Sequence, residues 1–258
     1  MFICPVCKSP LTKTEKTFVC PNNHSFDIAK QGYINLLLSS KQGNHGDDKL
    51  MVKARTSFLE KGFYDPMRLK VNEILGICHT VLDAGCGEGY YTSLFSEGNR
   101  VFGIDVSKEA LKVASRRCKN ASFAVASIYE LPFEEGSMDA VINIFAPDSP
   151  NEYLRVLKKG GRLITVTPTA EHLFELKAAV YDSPYENPYV DPSKDGFEVI
   201  SSTEVRYTID LDCNEDIISL FKMTPYYYTT PPALRQRLEG LNALTTRVGI
   251  LITEYKKK

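Results

Sequence analysis

Apolar runs alternate with amphipathic segments from residue 49 onward. Five of the runs predict strands buried in a sheet, and the stretches between them carry apolar residues at helical spacing. The predicted strands begin at the apolar pair 81–82 and continue at 101–105, 122–126, 138–145 and 162–166. This regular alternation predicts an α/β fold with a doubly wound parallel sheet, which gathers ligands at the carboxyl ends of its strands.

Helices are predicted at 49–62, 67–75, 107–117 and 151–157. The third begins at Ser107, a residue type that caps helix amino termini well. The run at 243–255 predicts a last strand, which we expect to be antiparallel and at the sheet edge. Before residue 38 the pattern changes to turn residues with one short strand at 17–19, which predicts a small separate unit.

Composition narrows the class of protein. The chain has 258 residues, of which 43% are hydrophobic and 24% charged, as in soluble globular proteins. No apolar run reaches the roughly 18 residues that a membrane span needs. The amino terminus shows no secretory signal, so we expect a cytoplasmic protein without a membrane partner.

Charge is distributed unevenly. Residues 1–70 carry eleven lysines and arginines against six acidic residues, whereas the remaining residues carry twenty against twenty-six. A basic front on an acidic body favours contact with a polyanion, although small domains also differ in charge by this much without a partner.

The amino-terminal residues contain a metal-site pattern. Cys4 and Cys7 form one close pair, and Cys20 and His24 form a second pair after a spacer of twelve residues. Two such pairs from two tight turns supply the four ligands of a tetrahedral zinc ion and leave no open position. We therefore predict a structural zinc ribbon at 1–37, a linker or mobile loop at 38–50 and the α/β domain at 51–258.

A glycine-rich loop follows the first strand of the α/β domain. Gly85, Gly87 and Gly89 alternate along it, and such a loop lets a ligand approach the backbone closely. Asp105 ends the next predicted strand, where a carboxylate can bind both hydroxyls of a ribose. The loop lacks the spacings of dinucleotide and P-loop motifs. It therefore suits a nucleoside without a phosphate, and S-adenosylmethionine is the obvious candidate.

By these features together, the chain resembles the bacterial 23S rRNA (guanine-N1)-methyltransferases. The glycine loop alone would indicate only a class I methyltransferase, whereas the ribbon joined to it specifies the family. The segments that match stand in the family's order, at 4–24, 26–37, 83–92, 105–108, 131–133 and 223–225.

The resemblance implies methyl transfer to N1 of a guanine in a 23S rRNA hairpin near the peptide exit tunnel, and some members confer resistance to macrolide-type antibiotics. It also implies a homodimer whose ribbons flank an RNA-binding cleft. By position, Tyr64, Gly87, Glu88 and His172 match donor-contacting residues of the family. The complete expected donor site comprises Tyr64, Asp83, Gly85, Gly87, Glu88, Gly89, Asp105 and His172.

The segment after the fourth predicted strand lies where class I enzymes present groups to the acceptor. Phe145 could stack on the guanine or belong to the core. Asn143 could hydrogen-bond the base or the donor, and Asp148 could accept the N1 proton or be a surface turn residue.

Two other functions fit parts of the pattern. A methyltransferase for quinones or other metabolites would carry the same glycine loop, but it would have no need of the basic ribbon. A non-enzymatic RNA-binding adaptor would have no need of intact loop glycines and Asp105.

Overall fold

The computed structural model describes residues 2–38 and 46–258. Most of the predicted linker, 39–45, therefore lies outside the described residues. The amino-terminal unit holds a three-stranded antiparallel sheet in the order β1-β2-β3. Its strands are β1 (Thr12–Lys13), β2 (Thr17–Val19) and β3 (Ser25–Asp27). The short strand predicted at 17–19 is confirmed.

The large sheet has eight strands among the described residues, in the order β10-β11-β9-β8-β5-β6-β7-β4. The strands from β4 to β9 run parallel, and β11 and β10 are antiparallel additions. Their bounds are β4 (Ile34–Asn35), β5 (Thr80–Ala84), β6 (Arg100–Asp105), β7 (Ser122–Val125), β8 (Met138–Ile144), β9 (Leu157–Pro168), β10 (Phe197–Leu211) and β11 (Leu244–Lys257). All five predicted parallel strands are confirmed.

Helices cover both faces of this sheet. They are α1 (Lys49–Leu59), α2 (Asp65–Leu75), α3 (Tyr90–Phe95), α4 (Lys108–Arg117), α5 (Pro150–Val156), α6 (Phe174–Val180), α7 (Asn214–Lys222) and α8 (Pro232–Arg235). Ser107 caps α4 as predicted, because its hydroxyl accepts a hydrogen bond from the Ala110 N–H at 3.1 Å. The four predicted helices are confirmed to within two or three residues at each end.

The placement of the last strand at the sheet edge was wrong. β11 lies between β9 and β10, and the edge is formed by β10, which the hydrophobic pattern did not reveal. The outward side chains of β10 include Glu198, Glu204, Arg206 and Asp210, all exposed. An alternating polar strand of this kind has one wet face, so it lacks the continuous apolar run of a buried strand.

The ribbon is packed into the large sheet. β4 pairs in parallel with β7 and so extends the sheet at its far edge. Phe2 is 3% exposed, and its ring centroid lies 5.3 Å from those of both Phe102 and Phe133. Burying one such phenyl ring contributes about 1.5–3 kcal/mol. The metal-binding unit and the α/β domain thus share a hydrophobic core.

Candidate functional site

The four predicted metal ligands converge. The ligand atoms of Cys4, Cys7, Cys20 and His24 all lie within 4.8 Å of one another. The sulfurs of Cys7 and Cys20 are 3.6 Å apart, and the Cys20 sulfur lies 3.3 Å from His24 Nδ1. Zinc–sulfur bonds of about 2.3 Å in a tetrahedron place two sulfurs at about this separation. The donor set therefore fits zinc.

Tight turns hold each ligand pair. In the first, the Lys8 N–H donates to the Cys4 carbonyl at 2.9 Å, and in the second the Asn23 N–H donates to the Cys20 carbonyl at 2.9 Å. Lys8 and Asn23 both adopt the left-handed conformation, with φ of 61° and 62°. Hydrogen bonds from Ser9 lower the pKa of Cys7 to about 5, which favours the thiolate that binds a metal.

The glycine loop connects β5 to α3. Gly85 has φ of 85°, and a Cβ there would lie 2.5 Å from the Ala146 side chain. Gly89 has φ of 80°, and its Cβ would lie 3.0 Å from Ala114. A side chain at either end of the turn would therefore collide with a neighbouring alanine, so the turn requires glycine at both positions.

Asp105 lies directly against this loop. Its carboxylate accepts hydrogen bonds from the Gly87 N–H at 3.0 Å and the Ser107 N–H at 2.8 Å. Burial raises the pKa of Asp105 to about 6, although these two hydrogen bonds favour the charged form. Each carboxylate oxygen keeps one further lone pair, which can accept a hydrogen bond from a ribose hydroxyl.

Two further carboxylates lie at the loop, Asp83 near the end of β5 and Glu88 within the loop itself. Asp83 is 2% exposed and accepts a hydrogen bond from the Thr92 hydroxyl at 2.6 Å. Burial raises the pKa of Asp83 to about 7. Glu88 is 3% exposed and pairs at 3.1 Å with Arg117, which also binds Glu60 at 2.7 Å. Glu88 therefore connects the loop to α4 and to the end of α1.

Arg55 was missed by the sequence analysis. One of its guanidinium nitrogens lies 3.6 Å from the position of a Cβ on Gly87, and the group forms an ion pair with Asp47. Burial alone would lower the pKa of Arg55, but the negative charges of Asp47, Glu88 and Asp105 raise it. No local pattern distinguishes this arginine from an ordinary helix-surface cation.

The segment before α1 closes over the same place. The Ser107 hydroxyl donates to the Asp47 carbonyl at 2.6 Å, which holds this segment against the carboxyl end of β6. Asp48 caps α1 by accepting from two backbone N–H groups. Arg55, about two helical turns after Asp48, is thereby directed to the glycine loop.

Tyr64, His172 and Phe145 meet at the carboxyl ends of β8 and β9. Tyr64 is 2% exposed, and its ring centroid lies 6.4 Å from that of His172. His172 lies in the turn before α6, not on a helix surface. Its Nδ1 is buried without a hydrogen-bond partner in the described part of the chain. Burial and the charge of Lys177 lower the pKa of His172 to about 4, so the ring is neutral at pH 7.

Phe145 is a surface aromatic residue, not a core residue. Its side chain is 42% exposed, and its φ of 53° is in the left-handed region. That conformation costs a non-glycine residue about 1–2 kcal/mol. Such strain is found most often where a site requires a particular orientation.

Asn143 and Asp148 flank this ring in the sequence. The Asn143 amide donates to the Pro147 carbonyl at 2.8 Å and the Tyr153 hydroxyl at 2.7 Å, and its oxygen accepts from the Ala146 N–H at 3.2 Å. Both amide protons are therefore committed to holding the turn that presents Phe145. Asp148 forms an ion pair with Lys194.

Two family models match the chain, one over the amino-terminal metal-binding unit and one over the segment that contains the glycine loop. Residues 2–42 match the model described as "RlmA, N-terminal", and residues 81–161 match a methyltransferase domain. The 23S rRNA (guanine(748)-N(1))-methyltransferase of Streptomyces fradiae is 32% identical over 96% of this chain and 95% of its own length. The chain belongs to the 23S rRNA (guanine-N1)-methyltransferase family. Bacillus subtilis YxjB, provisionally named for the same activity, is 31% identical over 98% of this chain and 96% of its own length.

Solved structures of other proteins share the fold of this methyltransferase. A protein of Bacillus halodurans C-125, provisionally assigned as a methyltransferase, superimposes with a TM-score of 0.50 at 18% identity. That match covers 74% of this chain and 98% of the other, and it shows the fold alone. The described helices include none that is long and apolar enough to cross a membrane.

The cofactors of the methyltransferase are S-adenosylmethionine and zinc, and the residues present fit both. A Cβ at Gly85 has no room, two buried carboxylates (Asp83 and Glu88) and the half-buried Asp105 lie at the loop, and the buried Nδ1 of His172 has no partner among the described residues. These groups suit the hydroxyls and the charged methionine end of the donor.

Proposed function

We propose that this methyltransferase modifies N1 of a guanine in a 23S rRNA hairpin near the peptide exit tunnel. The observation that carries the proposal is that one hydrophobic core joins a zinc ribbon to a donor-binding sheet. The relative from Streptomyces fradiae, similar over nearly the whole length, supports the base and the atom by its name. An enzyme that methylates a small metabolite would have no need of the basic zinc ribbon.

Donor binding is assigned to the glycine loop and its surroundings. Asp105 accepts the ribose hydroxyls, while the backbone at Gly85 and Gly87 lies beneath the donor. Asp83, Glu88 and Gly89 shape the loop, and Tyr64 and His172 close its acceptor side. When bound, S-adenosylmethionine supplies a methyl group made electrophilic by its sulfonium. The protein's contribution is therefore mainly alignment of the base.

The acceptor guanine is assigned to the exposed face of Phe145. A guanine must leave its base pair to expose N1, and an aromatic ring offers a stacking surface that replaces the lost neighbours. Asn143 positions this ring by holding its turn. N1 must lie about 3–3.5 Å from the methyl carbon, and its proton must leave as the bond forms. Asp148 is the candidate acceptor for that proton, once its ion pair with Lys194 is shared or opened.

RNA binding is assigned to the ribbon, with zinc held by Cys4, Cys7, Cys20 and His24. Exposed lysines at positions 13, 16 and 30 lie on the ribbon and suit backbone phosphates. Residues 1–37 would thus form the RNA-binding ribbon and 51–258 the catalytic domain. We further propose a cytoplasmic homodimer, in which two ribbons flank one hairpin, and an effect on macrolide-type antibiotic sensitivity.

The deciding experiment incubates the purified protein with radiolabelled S-adenosylmethionine and unmodified bacterial 23S rRNA. Reverse transcription then maps the product, because a methyl group on guanine N1 blocks base pairing. A new stop at one hairpin guanine is expected. Label without a stop would assign another atom, and donor binding without any labelled rRNA would favour a metabolite substrate. Analytical ultracentrifugation with and without the hairpin tests the dimer.

A further inference from the structure

An irregular segment lies beside the turn of His172, whose ring stacks on that of Phe145 with the centroids 5.7 Å apart. It comprises residues 181–196, between α6 and β10, and we call it the strap. Its described side chains include two exposed tyrosines, Tyr185 at 50% and Tyr189 at 83% exposure. Residues that contact substrate often lie on irregular segments, so an exposed tyrosine there is a candidate for substrate contact.

The first anchor of the strap is Asn187. Its side-chain amide donates to the carbonyls of Thr169 at 2.9 Å and His172 at 3.1 Å, and its backbone N–H donates to the Ala170 carbonyl at 2.9 Å. The strap is therefore bound directly to the turn that carries His172. Glu171 secures the same turn from the other side through its ion pair with Arg247 at 2.9 Å.

The second anchor is a buried lysine. Lys177 is 1% exposed, and its ammonium donates to the Asn187 amide oxygen at 2.6 Å and the Tyr185 carbonyl at 3.2 Å. The same ammonium lies 4.5 Å from the Tyr185 ring centroid, in cation–π contact. A buried cation whose two side-chain hydrogen bonds among the described residues both go to strap oxygens fixes the strap firmly, because leaving it unpaired would be costly.

The third anchor lies at the opposite end of the strap. Lys194 forms an ion pair with Asp148, three residues after Phe145, and its ammonium lies 5.7 Å from the Tyr255 ring centroid. Residues 188–193 thus run from the turn of His172 to the turn of Phe145. Tyr189 is two residues from Asn187, so their Cα atoms lie within about 7 Å of each other. Tyr189 therefore belongs to the part of the strap that adjoins the turn of His172.

The composition of the strap determines what it can bind. It carries Asp182, Glu186, Asp191 and Asp195 against the single cation Lys194. Such a segment repels phosphates, so its tyrosines are suited to the uncharged faces of bases. Pro184 and Pro188, which precede the two tyrosines, have fixed φ angles and restrict Ser183 and Asn187, so the strap is stiffened before any partner binds, which lowers the entropy cost of contact.

We infer that Tyr189 is a stacking surface for an unpaired nucleotide that neighbours the target guanine. Phe145 receives the target base, and Tyr189 holds the base beside it outside the helical stack. The strap then selects a loop or bulge over a paired stem, while the lysines of the ribbon bind phosphates without that selection. This inference rests on the proposed RNA substrate and adds how the unpaired state is recognised.

The test measures binding of a fluorescein-labelled 23S rRNA hairpin with an unpaired guanine, and of a fully paired duplex of equal length, by fluorescence anisotropy. S-adenosylhomocysteine is present, so no turnover occurs. Tyr189→Ala is expected to weaken hairpin binding about 5- to 100-fold, as loss of one aromatic–base stack does. Duplex binding should not change, and Tyr189→Phe should retain parental affinity.

The salt dependence separates stacking from charge. The loss in Tyr189→Ala should be equal at about 50 and 200 mM salt, whereas loss of a phosphate contact shrinks as salt rises. Ile77→Ala is the matched control, because Ile77 is 86% exposed and precedes β5 at the opposite end of the sheet. Calorimetry with S-adenosylhomocysteine should give equal donor affinity in all variants.

Equal hairpin affinity in Tyr189→Ala and the parent would overturn the inference, as would equal losses for hairpin and duplex or a weak Tyr189→Phe variant. Reverse-transcription mapping with the parent decides the proposed function separately. A parent that methylates N1 while Tyr189→Ala binds normally leaves the function standing and removes the strap's role. If hairpin binding by the parent depends on Tyr189 but the parent methylates another atom, the role of the strap stands and the proposed N1 methylation is wrong.

Discussion

The ring of Phe145 stacks on the imidazole of His172, with the centroids 5.7 Å apart and the planes inclined by 29°. The two residues come from different strand ends, and hydrogen bonds hold both turns: the Phe145 N–H donates to the Val166 carbonyl, and the His172 carbonyl accepts from the Asn187 amide. This pair stands between the donor loop and the exposed acceptor side. We therefore expect the base and the donor to meet beside it.

Phe145 should show opposite effects on stability and activity. Phe145→Gly relieves the left-handed strain and loses only a partly exposed ring, so the free energy of unfolding should change little or rise by up to about 1 kcal/mol. RNA methylation should fall at least about 10-fold in kcat/KM, since one stacking surface is lost. Phe145→Tyr should restore activity. Urea unfolding and single-site kinetics measure both, and full activity in the glycine variant would exclude a base contact.

Removing the charge of Asp83 should stabilise the protein at alkaline pH. Because burial raises its pKa to about 7, the contribution of this carboxyl to folding is greatest below its unfolded pKa of about 4 and is lost as pH rises through about 7. Asp83→Asn keeps an acceptor for the Thr92 hydroxyl and cannot ionise. Its free energy of unfolding should exceed that of the parent by a few kcal/mol at pH 8 and match it near pH 4.

The contrary outcome for Asp83 is equally clear. If urea unfolding at pH 8 gives the asparagine variant a lower stability than the parent, the ionised carboxylate is stabilised by a contact that the asparagine cannot make. Asp139→Asn serves as the control, since Asp139 is partly exposed and pairs with Lys158 at 2.7 Å.

Asp105 should govern the pH dependence of donor binding. Asp105→Ala should weaken the donor affinity by about 1.5–3 kcal/mol, because hydrogen bonds to a charged acceptor are lost. In the parent, affinity should fall as pH drops through about 6, where the carboxylate becomes protonated. Isothermal calorimetry with S-adenosylhomocysteine between pH 5 and 8 measures this. A dissociation constant independent of both the substitution and pH would place the ribose elsewhere.

Arg55 should keep Asp105 ionised. In Arg55→Met the positive charge facing Asp47, Glu88 and Asp105 is lost, so the pKa of Asp105 rises further and the pH midpoint of donor binding moves upward. Donor affinity at pH 7 should fall, whereas at pH 8.5 it should recover in part. Lys53→Met, an exposed cation of the same helix, is the control. An unchanged midpoint would restrict Arg55 to a packing role.

Zinc removal should separate RNA binding from donor binding. Cys20→Ser or chelation unfolds the two ligand turns, and RNA methylation should be lost. Because Phe2 and β4 pack on the large sheet, thermal stability should also fall, while calorimetric donor affinity should change less than about threefold. RNA methylation at the parental rate in Cys20→Ser would show that the ribbon is not needed for the substrate.

Local patterns were enough to predict the framework of this protein. The parallel strands form continuous apolar runs, Ser107 caps its helix, and the cysteine and histidine pairs stand in tight turns, so each signal lies within a few consecutive residues. The glycine loop is of the same kind, because positive φ angles at Gly85, Gly87 and Gly89 depend on the absence of a Cβ in the residue itself.

Only the tertiary structure decided the strand order at the sheet edge and the contacts between residues distant in sequence. β10 escaped prediction because its outward face is polar, and its partner β11 was misplaced at the edge for that reason. Arg55 approaches Gly87 from a helix that starts 38 residues before that glycine, and Asn187 reaches back to the turn at Thr169. Periodicity and turn chemistry act between neighbours in sequence, whereas burial and pairing of charges depend on which distant segments the closed core brings together.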